Sequence, residues 1–292
     1  MAIIFTQNLG RYNEVLSSRG QPIIVSNFAE GDYQLHTDWR GLQPVDFDDI
    51  WNVDRNSTAT YFDANGVLQT AAVNQPRIDY STGEGRLLVE PQRTRLNLYP
   101  TQFDNAYWMA ARLTKSTANT PLFGDITSTK LVETVEGGTK LMYSNVSLNN
   151  PANVNVTVSF IVKAAERTKV SINFNSRNSV NSGAKFDLLT GAYLGAYLNT
   201  PIKYSSKPLS DGWFLLSVTA LNGNNPLNGS FPARIYLLND LGEAEYAGDG
   251  SSGVYVAASQ MEQGDKPTSL ILGNEASQVT RLADIITPKG DA

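Results

Sequence analysis

Apolar and polar residues alternate along much of the second half of the chain. From Val154 to Phe160 every second residue is apolar, which is the pattern of a β-strand with one buried face. The strand is predicted to continue to Ala164. The same period recurs downstream, and we predict further strands over Thr168–Ser176, Gly212–Ala220, Ala233–Asp240 and Gly253–Glu262.

Glycine-rich and asparagine-rich stretches separate these segments and are typical of turns. A hairpin is predicted over Ala184–Tyr197, with its bend at Thr190-Gly191. Many short strands joined by such turns indicate an all-β sandwich. The four stretches that we interpret as turns are NSG (181–183), SDG (210–212), NGNNPLNG (222–229) and GDGSSG (248–253).

A small β meander is predicted upstream of the sandwich. Residues 58–71 read as a hairpin because Asn65-Gly66 favours a turn with positive φ between two β-prone runs. Residues 74–90 are predicted to form a second pair of strands, with Gly83 and Gly85 at the turn.

The first fifty residues form a mixed region. Strands are predicted over 22–28 and 32–39, and a short helix is expected near 7–20.

The acidic stretch PVDFDDIW (44–51) allows two interpretations. Phe47 and Trp51 either pack inward beneath a solvated turn or contact a partner protein. We favour the inward packing, because single aromatic residues usually lie in the core.

Composition narrows the classes of function. The chain of 292 residues is 41% hydrophobic and 17% charged, with a net charge of −5 and no basic run. Nucleic-acid binding is not expected, because it requires clustered cations. A membrane span is not expected either, because no apolar stretch of about 18 residues occurs. The N-terminus lacks a secretion signal, so we expect synthesis and folding in a cytoplasm.

Two residue counts remove much catalytic chemistry. Cysteine is absent and His36 is the single histidine, so disulfides, Cys/His zinc sites and cysteine nucleophiles are excluded. His36 lies in an alternating stretch without a nearby serine elbow, and we interpret it as a strand or turn histidine. Phosphate-binding glycine motifs are also absent. We expect no enzyme activity, no cofactor and no metal site.

The stretch LLVEPQRTRLNLYP (87–100) is interpreted as the entry into the sandwich. Glu90-Pro91 favours extended backbone there. Arg93 and Arg95 are suited to pair with a carboxylate, and Arg281 is placed to serve the same end of the domain. We assign these arginines a structural role in clamping the linker and expect the first and last strands to be neighbours.

Three stretches resemble bacteriophage virion proteins, namely head or tail fibres and spikes with a carbohydrate-binding-like jelly roll. They cover most of residues 55–286 and lie at 57–98, at 186–195 with 209–220, and at 253–286.

The chain departs from the usual motifs of that class at three positions. The opening motif E-P-x-R-T-N-L has Arg95 in place of asparagine. The closing motif T-S-Y-I-P-T has Leu270 and Leu272 in place of tyrosine and proline.

The resemblance implies a virion-docking region at 1–54, a β-meander linker module at 55–96 and a jelly-roll sandwich at 97–292. It implies a virion protein that contacts capsid or tail proteins and binds host-surface glycans. A homo-oligomer is expected, with a trimer favoured. A decoration or stabilising protein that binds no sugar is the alternative, and a depolymerase spike is less favoured.

A sugar site needs an aromatic ring for the C–H face of the sugar and amide or charged groups for its hydroxyls. Two interpretations of Trp108 remain open, namely burial in the core and contact with a sugar. The candidates are Tyr193, Tyr197, Asn199, Tyr204, Asn175, Arg177 and Trp108.

Overall fold

The computed structural model is almost entirely β-structure, as the sequence predicted. The chain divides into two compact units, one formed by Met1–Gln92 with Leu282–Ala292 and the other by Arg93–Arg281. The structure describes residues 2–5, 23–28, 30–36, 43–123, 126–144, 152–176, 181–223 and 232–289.

The first unit contains several small sheets and one short helix. Its helix α1 spans Phe47–Ile50. Its strands are β1 (Ala2–Phe5), β2 (Ile23–Asn27), β3 (Asp32–His36), β4 (Gln43–Val45), β5 (Trp51–Asp54), β6 (Ala59–Phe62), β7 (Leu68–Ala71), β8 (Ile78–Asp79), β9 (Arg86–Leu87) and β24 (Ile285–Pro288).

Strands β1 to β4 form one sheet in that order, and β24 pairs with β5. The acidic stretch predicted as a turn contains α1, whose first turn carries Asp48 and Asp49 where the helix dipole favours negative charge. Phe47 and Trp51 are buried, which confirms the inward packing predicted for them. The predicted helix near 7–20 lies outside the described residues.

Both predicted strand pairs of the meander are confirmed. Strands β6 and β7 pair as a hairpin around Asn65-Gly66, where Gly66 has a φ of 73°. Strands β8 and β9 pair around the turn that contains Gly83.

A buried ion network holds the first unit together. The carboxylate of Asp284 accepts a hydrogen bond from Arg55 Nη1 at 2.8 Å and another from Arg77 Nη2. Arg77 also pairs with Glu90 at 3.0 Å. The side chains of Arg55 and Arg77 are wholly buried, so each would be costly without its partner.

The second unit is a two-sheet sandwich. Its strands are β10 (Arg93–Arg95), β11 (Trp108–Ala111), β12 (Leu113–Phe123), β13 (Ile126–Glu133), β14 (Leu141–Ser144), β15 (Val154–Ala164), β16 (Lys169–Asn175), β17 (Asn181–Asp187), β18 (Tyr193–Leu198), β19 (Lys203–Pro208), β20 (Trp213–Asn222), β21 (Ala233–Leu238), β22 (Gly253–Gln263) and β23 (Val279–Arg281).

One sheet has the order β12-β13-β22-β15-β20-β19, and in addition β10 pairs with β22 and β23 pairs with β10. The other has the order β11-β14-β21-β16-β17-β18. The chain crosses between the two sheets several times, and the strand pairs described in this unit are antiparallel. This is the jelly-roll sandwich predicted from the sequence.

The core lies between the two sheets. The alternating apolar residues Val156, Val158 and Phe160 of β15 are fully buried, as predicted. Trp213 is also buried.

Strand β10 connects the entry of the sandwich to its end. Arg93 lies opposite Arg281 in the β10–β23 pair, so the first and last strands are neighbours, as predicted. Arg93 lies 3.7 Å from Glu262. Arg95 is buried and donates to backbone carbonyls instead of a carboxylate, and these belong to Ile271, Asn274 and Ser277.

The NSG stretch was interpreted wrongly as a turn. Asn181, Ser182 and Gly183 begin strand β17. Gly183 is needed for packing there, because a Cβ at this position would lie 2.4 Å from the amide of Asn173. The predicted regions 1–54, 55–96 and 97–292 remain a prediction, and the compact units place residues 282–292 with the first unit.

Candidate functional site

Four residues on the outer side of the six-stranded sheet form a row, and two of them, Asn173 and Gly183, are buried. Arg234 of β21 lies opposite Asn173 of β16, Asn173 lies opposite Gly183 of β17, and Gly183 lies opposite Tyr197 of β18. We call these four residues the amide row. Since neighbouring strands lie about 4.8 Å apart, the row is roughly 14 Å long.

Strand alternation explains why these side chains point away from the core. In β16, Val170, Ile172 and Phe174 are buried against the opposite sheet, so Asn173 and Asn175 occupy the other face. The same alternation places Arg234 outward, because its neighbours Ala233 and Ile235 belong to the core. The row therefore lies on the outer face of the sandwich.

The amide of Asn173 is only half satisfied. Its Oδ1 accepts a hydrogen bond of 2.8 Å from Ser171 Oγ. Its Nδ2 is shielded from water and has no hydrogen-bond partner among the described residues. Gly183 makes room for this amide, because any larger residue would occupy the same space.

Arg234 uses part of its guanidinium group. Its Nη1 donates to Asn181 Oδ1 at 3.2 Å. Its Nε is shielded from water and unpartnered within the described part of the chain. Unlike Arg55, Arg77 and Arg167, it forms no ion pair with a carboxylate of the described residues.

Asn175 adds an acceptor beside the row. It lies opposite Asn181 in the β16–β17 pair and is half-buried. Its Oδ1 has no hydrogen-bond donor among the residues that the structure describes. Unmet donors and an unmet acceptor thus lie on the same patch of strand surface.

Tyr197 ends the row with an aromatic ring. The ring is half-buried, and its centroid lies 4.9 Å from that of Tyr236 at an angle of 51°. Burial raises the pKa of Tyr197 to about 12, with the nearby Tyr236 and Glu245 acting in the same direction and Arg234 opposing them. The hydroxyl is therefore protonated at neutral pH and able to donate a hydrogen bond.

A segment of residues 239–246 covers the neighbouring part of this outer face. Its Ala244 packs with Leu238 and Tyr236, and Leu141 and Tyr197 lie against the same cluster. The carbonyl of Gly242 accepts a hydrogen bond from Lys185 Nζ at 3.2 Å. The covered, apolar part of the face thus adjoins the polar amide row at Tyr197.

A β-bulge separates two tyrosines that the sequence placed together. Phe186 pairs with Tyr193 and Lys185 with Gly195, so Leu194 is an extra residue in β18. Without it, Tyr193 and Tyr197 would share one face of the strand. With it, Tyr193 points inward against Phe186, and Tyr197 points outward.

Tyr193 stacks on Tyr204 at the open edge of the sandwich. Their ring centroids lie 3.8 Å apart, and the rings are nearly parallel at 10°. Tyr204 lies opposite the buried Val218 in the β19–β20 pair. The stack therefore closes the gap between edge strands of the two sheets, although Tyr204 remains 46% exposed.

The other sequence candidates have different positions. Asn199 is exposed, and its Nδ2 donates to the carbonyl of Asn181 at 2.8 Å. Arg177 lies outside the described residues. Trp108 is a correction to the list, because it is buried within the core, where its ring packs against Phe103 and Phe160.

Sequence reasoning missed Asn173, Gly183 and Arg234. A polar residue on the outward side of a strictly alternating strand was the available signal for the asparagine and the arginine. The two lie about sixty positions apart in the chain, and only the pairing of β16 with β21 makes them neighbours.

The best-connected buried acid of the sandwich has a structural role. Glu133 accepts hydrogen bonds from Arg167 at 2.6 and 2.9 Å, from the Tyr246 hydroxyl at 2.7 Å and from the Asp249 amide at 2.9 Å. Burial alone would raise the pKa of Glu133, but these hydrogen bonds outweigh it and hold the pKa below its usual value. A carboxylate that already accepts four hydrogen bonds is suited to stabilising the loop after β21.

The described residues contain neither a candidate metal cluster nor a candidate membrane-spanning helix. No group of three or more acidic, histidine or cysteine side chains there is arranged to hold a metal ion. No helix in the described part is long and apolar enough to cross a membrane.

The structure is similar to several solved β-sandwiches. The CBM22-2 xylan-binding domain of Paenibacillus barcinonensis Xyn10C matches with 12% identity and a TM-score of 0.35, over 56% of this chain and 98% of that one. A structure described as carbohydrate-binding modules from the β-sandwich superfamily matches with 11% identity and a TM-score of 0.36, over 83% and 99%.

A domain of a phage protein is also similar. The enzymatically active domain of tailspike protein 4 from bacteriophage CBA120 matches with 14% identity and a TM-score of 0.33, over 58% of this chain and 21% of that one. No family model matches this chain, and no curated protein matches it. At these identities the matches concern the fold and identify no family.

Proposed function

We propose that the outer face of the six-stranded sheet binds a glycan along the amide row. The observation that carries the proposal is the concentration of unmet hydrogen-bonding groups there. Asn173 Nδ2, Arg234 Nε and Asn175 Oδ1 all lack partners within the described residues. A buried polar group without a partner costs about 1–3 kcal/mol, which a hydroxyl-rich ligand would relieve.

Tyr197 supplies the apolar part of such a site. A sugar presents C–H groups on one face and hydroxyls around its rim, and a half-buried tyrosine offers a ring surface together with a hydroxyl. The row places this ring beside the amide and guanidinium groups. Binding by one such site is expected to be weak, and several copies on one particle would raise the apparent affinity.

The wider role that we propose is host-surface adhesion by a bacteriophage virion protein, a head or tail fibre or spike. This rests on the resemblance of the meander, the middle strands and the final strand to that class. The first unit would dock on capsid or tail proteins, and the sandwich would be displayed in a homo-oligomer, with a trimer favoured. Its location would be the virion.

We also propose that the protein is not an enzyme. The buried carboxylates of Glu133 and Asp284 are each paired with arginine, which supports a structural use. Glycoside hydrolysis would instead need two facing carboxyl groups on either side of a bound sugar.

A decoration protein without sugar binding is the second candidate. It is favoured by exposed apolar side chains near the β18–β19 edge, since such side chains are common at protein contacts. These residues are Leu194, Leu198, Ile202 and Tyr204.

A glycan array probed with multivalent protein tests the binding proposal. We expect specific signals that fall at least tenfold for Tyr197→Ala. The matched control is Tyr255→Ala, which removes a half-buried tyrosine of β22, a strand of the other sheet. Absence of binding to any glycan, or equal loss in both variants, would contradict the proposal. Labelled antibodies on intact virions would test the location.

A further inference from the structure

We infer that the glycan carries a carboxylate and that Arg234 binds it. This rests on the proposed function and specifies the chemical class of the ligand. The first observation is that Arg234 is a half-buried cation without an acidic partner among the described residues. Partly buried charges are usually paired, so this guanidinium is prepared for an anion that the chain itself does not supply.

The geometry of the guanidinium indicates which kind of anion. Nη1 is engaged by Asn181 Oδ1 at 3.2 Å. On the opposite edge, which is formed by Nε and Nη2, Nε has no hydrogen-bond acceptor within the described chain. Two parallel N–H groups on one edge match the two oxygens of a carboxylate.

The neighbouring amide completes the recognition of an acid. Asn173 lies directly opposite Arg234 in the β16–β21 pair, and its Nδ2 is a second unpartnered donor. Its Oδ1 already accepts a hydrogen bond from Ser171, which leaves Nδ2 as the unpartnered group of this amide. Asn173 Nδ2 and Arg234 Nε are both donors, and a carboxylate oxygen accepts hydrogen bonds without donating any.

The surrounding charge agrees with an anionic ligand. Lys185 lies on the same outer face and donates to the Gly242 carbonyl, with no ion pair to an acid among the described residues. Glu245 is the opposing charge close to Tyr197, and its carboxylate lies 3.4 Å from Thr139 Oγ1. Arg234 and Lys185 are therefore two cations of this face that form no ion pair with a carboxylate of the described residues.

The test compares each acidic glycan with its own neutral counterpart. The array carries carboxylate-bearing oligosaccharides, the same compounds with the carboxyl group reduced to an alcohol, and sulfated glycans. We expect the strongest signals on the carboxylates and at least a tenfold loss upon reduction. The preference should weaken as salt is added, because the contact is ionic.

The same array is also probed with two variants of the protein. Arg234→Gln should remove the preference for the acidic glycan, and Arg234→Lys should keep only part of that preference. The matched control Arg86→Gln removes an exposed arginine of the first unit and should change nothing. The comparison of acid with alcohol needs no variant, so misfolding of Arg234→Gln would not weaken the test.

The outcomes separate this inference from the proposed function. Equal binding of acid and alcohol, binding of sulfated glycans alone, or an unchanged preference in a folded Arg234→Gln variant would overturn the carboxylate assignment. Neutral binding that depends on Tyr197 would leave the proposed function standing. Absence of binding to every glycan would overturn both.

Discussion

Arg234 and Asn173 face each other on neighbouring antiparallel strands, and each has a water-shielded nitrogen without a partner in the described chain. Elsewhere the protein satisfies its buried charges closely, as the pairing of Asp284 with Arg55 and Arg77 shows. Arg234 differs from Arg55 and Arg77 because it forms no ion pair with a carboxylate of the described residues.

Gly183→Ala is expected to destabilise the sandwich. The added Cβ would lie 2.4 Å from the Asn173 amide, and relieving such an overlap costs about 1–3 kcal/mol. Chemical denaturation measures the loss. Gly137→Ala is the control, because its Cβ would have no neighbour within 4 Å. Equal stability of the two variants would show that Asn173 is not confined by Gly183.

The sequence predicted the sandwich better than it predicted the site. Alternation in β15 and β16 requires only local information, and both strands are confirmed. The site depends on which strands are neighbours and on one bulge at Leu194, which reverses the relation of Tyr193 to Tyr197. Neither the pairing nor the bulge is visible in the period of a single segment.

Two of the sequence departures from the resembled class meet in the structure. Arg95, which replaces the expected asparagine, donates to the carbonyl of Ile271. Ile271 lies between Leu270 and Leu272, the residues that replace tyrosine and proline. The sequence showed these changes separately, and the fold shows that they occupy one buried seam.

Asp284→Ala is expected to destabilise the first unit strongly. It leaves the buried guanidinium of Arg55 without its carboxylate, and breaking a buried ion pair by removing one partner costs about 3–5 kcal/mol. The free energy of unfolding measures the effect. Asp265→Ala, which removes an exposed partner of Lys203, should change little. A small loss in Asp284→Ala would contradict the role of the network.

The same residue makes stability dependent on acid. Burial alone would raise the pKa of Asp284, but Arg55, Arg77 and the Glu90 amide outweigh it and lower the pKa. A lowered folded pKa stabilises the fold above the ordinary aspartate value of about 3.9 and loses that effect as the pH falls through the folded pKa. Unfolding measured between about pH 5 and pH 2 should show this dependence, and Asp284→Asn should lose part of it.

Tyr197 should make the sandwich sensitive to alkali. Its pKa is raised to about 12, first by burial, so the folded state holds a proton that the unfolded state releases near pH 10. Stability is therefore fully present below about pH 10 and falls as the pH rises toward 12. Tyr197→Phe should reduce this fall, and ultraviolet titration of the tyrosines should lose a late component. An unchanged titration would contradict the assignment.

Tyr204→Ala should weaken the fold and leave glycan binding intact. It removes the parallel stack with Tyr193, and such aromatic pairs contribute about 0.5–1.5 kcal/mol beyond the area they bury. Thermal unfolding and the glycan array measure the two effects separately, and Tyr204→Phe should preserve both. Selective loss of binding in Tyr204→Ala would move the site to the sandwich edge.

A crystal structure with the strongest array ligand tests the central claim most directly. The account predicts electron density for the glycan on the outer face of the six-stranded sheet, with an acidic group at Arg234 and a sugar ring against Tyr197. Density at the Tyr193–Tyr204 edge, or on the first unit with the amide row left open, would contradict it.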